Sequence, residues 1–386
     1  MQVIMKTTFL STPLLTSLIM MALGFVSCLA VPSAGPRPTQ QAASSGFKCP
    51  EPEFDMDISS RELNILARAK TIPADIMECF ELVYGIQLNV HYFTSDEEMY
   101  IRLFNNGIIY DVIQPSSFMT PLLIKNEKLH ELNYSKMPFF DNLNPAHLNL
   151  TFDPGNKFTI PYQAGSYGIV YNTKTVDQQI TSWKDLWDEK YAQRMIMPDN
   201  GRTVIGASLL TLGYDVNTLE EKQMQAAQDK LWELVPNIQI FDGETPNISL
   251  LSGKVDIGII ESVYALDLQA ENPAFKFIYP SEGTILWQDN WAISSMSRHQ
   301  DAAYAWLNYA EQSSVSWLAL RENGTINPNL AAVEYTRDNE RKLYEAYVNS
   351  ELTNIPLDVW QNGYMLIDAG EQTTFYNNIW VAIKGE

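Results

Sequence analysis

Ile160-Pro-Tyr-Gln-Ala-Gly-Ser-Tyr-Gly-Ile-Val-Tyr-Asn172 lies near the middle of the chain. Its β-branched and aromatic content reads as two strands, Thr159–Tyr162 and Ser166–Tyr171. Working outward, helix and strand signals alternate. Glu62–Ala67 reads as a strand. Pro73 opens an amphipathic helix over Ala74–Tyr84, and Gly85 is its C-cap before a strand at Gln87–Tyr92. Asp96–Leu103 reads as a helix and Ile109–Ile113 as a short strand, with Pro115-Ser116-Ser117 capping the next helix. Downstream, a helix begins at Ser182 and a long one covers Gln223–Leu234. Val255–Ile260 and Phe275–Tyr279 read as strands, and Gln300–Asn308 and Ser314–Leu320 as helices. This order predicts an open α/β fold with crossover helices.

The chain has 386 residues, more than one hydrophobic core comfortably serves, so two lobes are expected. Aromatic residues make up 11%, enough to build those cores. With 26 Lys+Arg against 46 Asp+Glu, the net charge is −20. That excess opposes docking on nucleic acid or on anionic lipid, because both would repel it. It is compatible with a cationic ligand.

The N-terminus reads as an export signal. Lys6 is the only charged residue among the first 27, and an apolar run covers Leu14–Val26, too short for a comfortable membrane span. Two processing routes fit the residues that follow. Phe25-Val-Ser-Cys28 is similar to a bacterial lipobox, with Phe25 in place of the usual Leu and Cys28 as the acylated residue. Cleavage after Ala30 would instead leave Cys28 at the −3 position. Either route puts the mature chain outside the cytoplasm, with residues 1–27 as the lipoprotein signal peptide on the first. Residues 28–58, rich in Pro, Ser, Ala, Gly and Gln, read as a flexible tether. The remaining cysteines are Cys49 and Cys79. Cys79 shares a helix face with Ile76, Phe80 and Val83. Export permits a Cys49–Cys79 disulfide, and a buried free thiol at Cys79 with Cys49 loose in the tail is the alternative.

Catalytic signatures are missing. The sequence has no GxGxxG, GxxxxGK[ST], GxSxG or HExxH, so no catalytic residue, metal or cofactor is assigned. His91, His130, His147 and His299 are scattered, and His147, in the turn after Asn144-Pro-Ala, reads as a surface residue. Asp96-Glu97-Glu98 reads as a solvated helix face.

The opening segment and four further stretches carry a resemblance. The segment at 160–172 resembles a strand pair that crosses between lobes. Thr181-Ser-Trp-Lys-Asp-Leu-Trp187 resembles an "SWxDLW" helix start, and Leu210-Thr-Leu-Gly-Tyr-Asp-Val-Asn-Thr218 resembles "LGYSxNT". Tyr279-Pro-Ser-Glu-Gly-Thr-Ile-Leu-Trp-Gln-Asp-Asn-Trp-Ala-Ile293 is similar to "PxEGxxxWxDxxAI", and Ile326-Asn-Pro-Asn-Leu-Ala-Ala332 to "xTPNxAA". In this order they resemble the periplasmic spermidine/putrescine-binding protein family over residues 60–386. The resemblance implies a two-lobed periplasmic-binding-protein fold, type II-like, with a ligand cleft between lobes that close on the ligand. One lobe would comprise 59–165 and 290–334, the other 166–289 and 335–386. It also implies a small-molecule amine ligand, a cognate ABC permease in the inner membrane, and a periplasmic monomer held to the membrane by its lipid.

The same resemblance marks the site. An amine needs carboxylates for its ammonium groups and aromatic faces for its stem. Asp289 falls where the family grips an ammonium, and Trp287 where it packs the ligand chain. Ser116 and Gln361 match polar positions, and Phe118 replaces a Tyr. Other positions depart. Arg68-Ala-Lys-Thr71 stands where the family carries Trp-Thr/Ser-x-Tyr. Asn200-Gly-Arg-Thr203 stands in place of Asp-x-x-Glu. Glu261 replaces a Trp and Thr325 an aromatic. Two arrangements of the charges follow: Glu261 pairs with Arg68 across the cleft, or Glu261 and Asp289 hold a cation while Arg68 holds an anion, which would suit a zwitterionic solute. If Arg68 and Lys70 instead face solvent, a polyamine fits. A sensor or interaction lipoprotein built on the same fold is the non-transport alternative.

Overall fold

The computed structural model describes residues 41–105 and 107–385. The signal segment and Cys28 lie outside the described residues. The elements run β1 (Glu62–Arg68), α1 (Ala74–Tyr84), β2 (Gln87–Phe93), α2 (Asp96–Asn105), β3 (Val112–Ile113), α3 (Thr120–Lys125) and β4 (Thr159–Asn172). They continue with β5 (Met195–Met197), α4 (Gly201–Thr211), α5 (Glu221–Leu234), β6 (Ile238–Phe241), α6 (Pro246–Leu251), β7 (Ile257–Glu261), α7 (Ser262–Glu271), β8 (Phe275–Ile278) and β9 (Ile285–Ile293). The last are α8 (Gln300–Glu311), α9 (Ser313–Asn323), α10 (Leu330–Asn339), α11 (Arg341–Val348), α12 (Leu357–Gln361), β10 (Tyr364–Met365) and α13 (Thr373–Lys384).

The strands order β2-β1-β3-β9-β4-β7-β5-β6. The outer trios are internally parallel, and β9 and β4 cross between them antiparallel to each other and to β3 and β7; β8 pairs antiparallel with β4 and β10 parallel with β9. Parallel strands need covered faces, and each trio has them. Leu63, Ile65, Ile160 and Ile293 pack with α1 and α8, while Leu66, Ile113 and Ala292 face Met99 and Leu123 on the other side. Ile169, Ile257 and Ile285 pack with α4, α5 and α13, and Val170, Ile196 and Ile260 face Leu250 and Leu268. Ala164 and Leu286, where the strands pass from one core to the other, share a small cluster with Ile326 and Trp360.

Some elements differ from expectation. The two strands expected at 159–171 are one, because Gln163–Gly165 stay in the ladder with Trp287–Asp289; Pro161, which has no N–H to give, precedes a register shift there. The helix at Ser182 is a single 3-10 turn over Trp183–Trp187, held by a capping box between Ser182 and Asp185. α11 and the part of α10 from residue 335, expected with the second lobe, have Tyr335, Leu343 and Tyr347 in the same core as α1 and α8. The tether does not reach residue 58 unattached. Ala43 and Cys49 are buried in the first core, Ala42 bridges Lys48, and Cys49 is bonded to Cys79 of α1 (Cα–Cα 5.2 Å). His147 is not on the surface: it is 2% exposed, its Nδ1–H donates to Gln288 Oε1 at 3.1 Å, it lies against the Trp360 ring, and burial pulls its pKa down to about 4.

Candidate functional site

Strand ends and helix starts converge where β4 and β9 cross. Arg68 ends β1, Asp96 opens α2, Ser116 follows β3 and Glu261 ends β7. The carboxyl ends of parallel strands are the usual place for a ligand in an open α/β sheet, since the chain turns away there and leaves a crevice. Gln163 and Asp289 are register partners on the two crossing strands.

Arg68 is the hub of this cluster. Its Nη2 is 2.8 Å from Asp96 Oδ1 and its Nε is 3.2 Å from Asp289 Oδ2. Nη1 donates to the Thr94 carbonyl at 3.4 Å, and the guanidinium carbon stands 5.1 Å from the centre of the Phe93 ring. Burial works against the charge, but Asp289, Asp96 and Glu261 outweigh it and hold the Arg68 pKa above its ordinary value. Ser116 Oγ donates to Asp96 Oδ2 at 2.8 Å, and Gln163 Nε2 donates to Asp289 Oδ2 at 3.0 Å. Burial pushes the Asp289 carboxyl up, with Arg68 and Gln163 pulling against it. Burial pushes Glu261 up as well, and its partner is the Tyr167 hydroxyl, which donates to it. Neither arrangement expected for Arg68 is present. It forms no ion pair with Glu261, and its N–H groups are turned to Asp96, Asp289 and Thr94 rather than held free for an anion. Lys70 is exposed, as the solvent-facing reading had it, but Arg68 is not a bystander.

Trp287 lies along β9 two residues before Asp289, half-buried, with its indole over Gly165 of β4. A Cβ on Gly165 would fall 2.5 Å from Trp287 Cζ2, so glycine is what lets the ring lie flat there. Trp287 Nε1 is buried without a hydrogen-bond partner. Phe118 packs on the second core, and the Arg202 guanidinium stands between the Phe118 ring (5.6 Å) and the Tyr376 ring (4.0 Å).

The remaining expected residues have other work. Thr71 Oγ1 is buried on Gln114 Oε1 (2.8 Å), and its carbonyl accepts from Tyr162 and Asn323. Asn200 is exposed and caps α4 through the Thr203 N–H. Thr203 is buried beside Tyr167. Thr325 Oγ1 reaches Gln163 Oε1 only at 3.5 Å. Gln361 is exposed at the end of α12 and does not join the cluster; its neighbour Trp360 is the inward residue, donating to the Ala146 carbonyl at 2.9 Å. Sequence reasoning missed Asp96, Gln163, Tyr167 and Arg202. The run Asp96-Glu97-Glu98 reads as a solvated face, yet only Glu97 of the three is freely exposed. The signal for Asp96 was its place at a helix start directly after a strand. Among the described residues no group of three His, Cys, Asp or Glu side chains could hold a metal ion.

The family model described as bacterial extracellular solute-binding protein matches residues 110–316, more than half of the chain. This chain belongs to that family. The solute-binding protein is 30% identical over 317 residues to the spermidine/putrescine-binding periplasmic protein of Escherichia coli, covering 81% of this chain and 88% of that one. It is 26% identical over 279 residues to the putrescine/cadaverine-binding protein of Pseudomonas aeruginosa, covering 69% and 79%. Among solved structures, it is similar to the spermidine/putrescine ABC transporter substrate-binding protein of Streptococcus pneumoniae, with a TM-score of 0.73, 29% identity, and 84% and 99% of the two chains covered. The fold is therefore the two-lobed one of polyamine-type periplasmic binding proteins, as the resemblance implied. No described helix is long and apolar enough to cross a membrane.

Proposed function

We infer that this solute-binding protein is the extracytoplasmic receptor of an ABC importer for a polyamine-type amine, and that it performs no chemistry of its own. The observation that carries the reading is the convergence of three carboxylates, Asp96, Asp289 and Glu261, with the Trp287 ring at the strand crossing. Such a set suits an alkyl amine, whose ammonium groups need carboxylates and whose methylenes need an aromatic surface. The zwitterionic reading loses support because Arg68, its anion receptor, is already engaged by two carboxylates and a carbonyl. The receptor works as a monomer, captures the amine by closing its lobes, and hands it to a membrane permease.

A thermal-shift panel of putrescine, spermidine, agmatine, basic amino acids and neutral zwitterions tests this. An amine at 100 times its Kd should stabilise the fold by about 2.7 kcal/mol. A panel in which only neutral zwitterions shift the melt would restore that reading, and silence across the panel would favour the non-transport lipoprotein.

Cys28 is proposed as the acylated residue that holds the receptor at the membrane. A Cys28→Ser chain should then leave the membrane fraction and appear in the soluble extracytoplasmic fraction. Unchanged membrane association would refute the anchor.

A further inference from the structure

The cleft already holds a cation of its own. The Arg68 guanidinium occupies Asp289, the carboxylate at which the resemblance places a ligand ammonium, and pairs with Asp96 as well. The Phe93 ring supports it from one side and the Thr94 carbonyl takes a third N–H. A guanidinium with two carboxylates, a carbonyl and an aromatic face is a built ion site rather than a wandering side chain. Ser116 and Gln163 fix the two carboxylates in turn. Glu261 differs: its hydrogen bond comes from the neutral Tyr167 hydroxyl, and Arg68 reaches it only through space. Three carboxylates against one guanidinium leave two negative charges unmatched.

We propose that Arg68 is the specificity-determining residue of this receptor: it supplies one of the positive charges that a triamine would bring, so the cleft selects diamines, with one ammonium drawn to Glu261. This rests on the amine-receptor reading above. A third ammonium on the ligand would have to share Asp289 and Asp96 with Arg68, at like-charge distance and out of bulk water, where repulsion is poorly screened. A diamine meets two unmatched charges with two of its own. Discrimination arises from this repulsive element as much as from the attractive one.

The experiment is isothermal titration calorimetry on the full chain in detergent, comparing putrescine with spermidine in wild type, Arg68→Met, Arg68→Lys and Glu261→Gln. Wild type should bind putrescine more tightly than spermidine. Arg68→Met should move the ratio of the two dissociation constants at least tenfold toward spermidine, while Arg68→Lys, which keeps the charge, stays within about threefold of wild type. Should Arg68→Met fail to fold, as judged by far-UV circular dichroism, Glu261→Gln carries the test: with one unmatched charge fewer, it should move the ratio at least threefold further toward putrescine. Binding of spermidine by Arg68→Met but not by wild type would support the assignment in its strongest form. A ratio that stays put in folded Arg68→Met, or in Glu261→Gln, would overturn it while leaving the amine receptor standing. No heat with either amine in wild type and in Arg68→Met would remove the amine-receptor reading and the assignment together.

Discussion

Asp289 is 4% exposed and carries Arg68 and Gln163 on one oxygen, so those partners favour its charged form against the burial that opposes it. Asp289→Ala should weaken binding of any amine at least about 30-fold, or about 2 kcal/mol, the lower end for losing one member of a buried charge pair. Calorimetry checks it, and unchanged affinity would take Asp289 out of the site. The identity of this residue and of Trp287 was legible in the return segment, because an Asp two places after a Trp is a local pattern. The charge partner was not. Arg68 and Asp96 are 28 positions apart, and whether a guanidinium faces water or a carboxylate depends on how β1 and α2 are brought together. Lys70, only two residues from Arg68, turns to solvent, so the two basic residues that looked alike in sequence have opposite fates.

At the scale of elements, α8 ends on a buried carboxyl. Glu311 is 1% exposed, accepting from Trp291 Nε1 of β9 at 3.1 Å and from Asn329 Nδ2, the N-cap of α10, at 3.2 Å. Burial raises its pKa from 4.5 to about 7, with those hydrogen bonds pulling the other way. A carboxyl whose pKa is higher folded than unfolded binds its proton more tightly in the fold. Its contribution to stability is therefore full below about pH 4.5 and is lost as the pH rises toward 7. A shift of that size is worth about 3 kcal/mol. Denaturant melts should show stability falling between pH 5 and 7.5 in wild type and a flatter profile in Glu311→Gln; equal slopes would show that Glu311 titrates normally. Element identities were mostly readable, since Pro73 and Gly85 bracket α1 and the Gly85 φ of 63° confirms its left-handed cap. Where the reading broke, at β4, a continuous ladder with β9 overrode the local break that Gln163-Ala164-Gly165 suggested.

Over the whole molecule, the Cys49–Cys79 bond ties the N-terminal segment to α1 and closes a loop with a sequence separation of 30 residues. Chain-entropy reasoning for a loop of this length gives about 3–4 kcal/mol of stabilisation. Reduction should lower the melting temperature accordingly and leave the putrescine Kd within about twofold, because the bond sits in the first core and not at the strand crossing. A melt indifferent to reductant would contradict this. The α/β class, the lack of catalytic motifs and the kinship that implies a two-lobed fold could be read along the chain, because periodicity, caps and short motifs are written in neighbouring residues. Only the packed fold shows that residues 41–50 are docked, that His147 is buried, that Gln361 stands apart from the carboxylate cluster, and that Arg68 sits on Asp289 rather than on Glu261 or in water. Those outcomes turn on groups far apart in the chain being brought together, where burial makes a charge costly until an opposite charge is found, and no local pattern encodes which partner that will be.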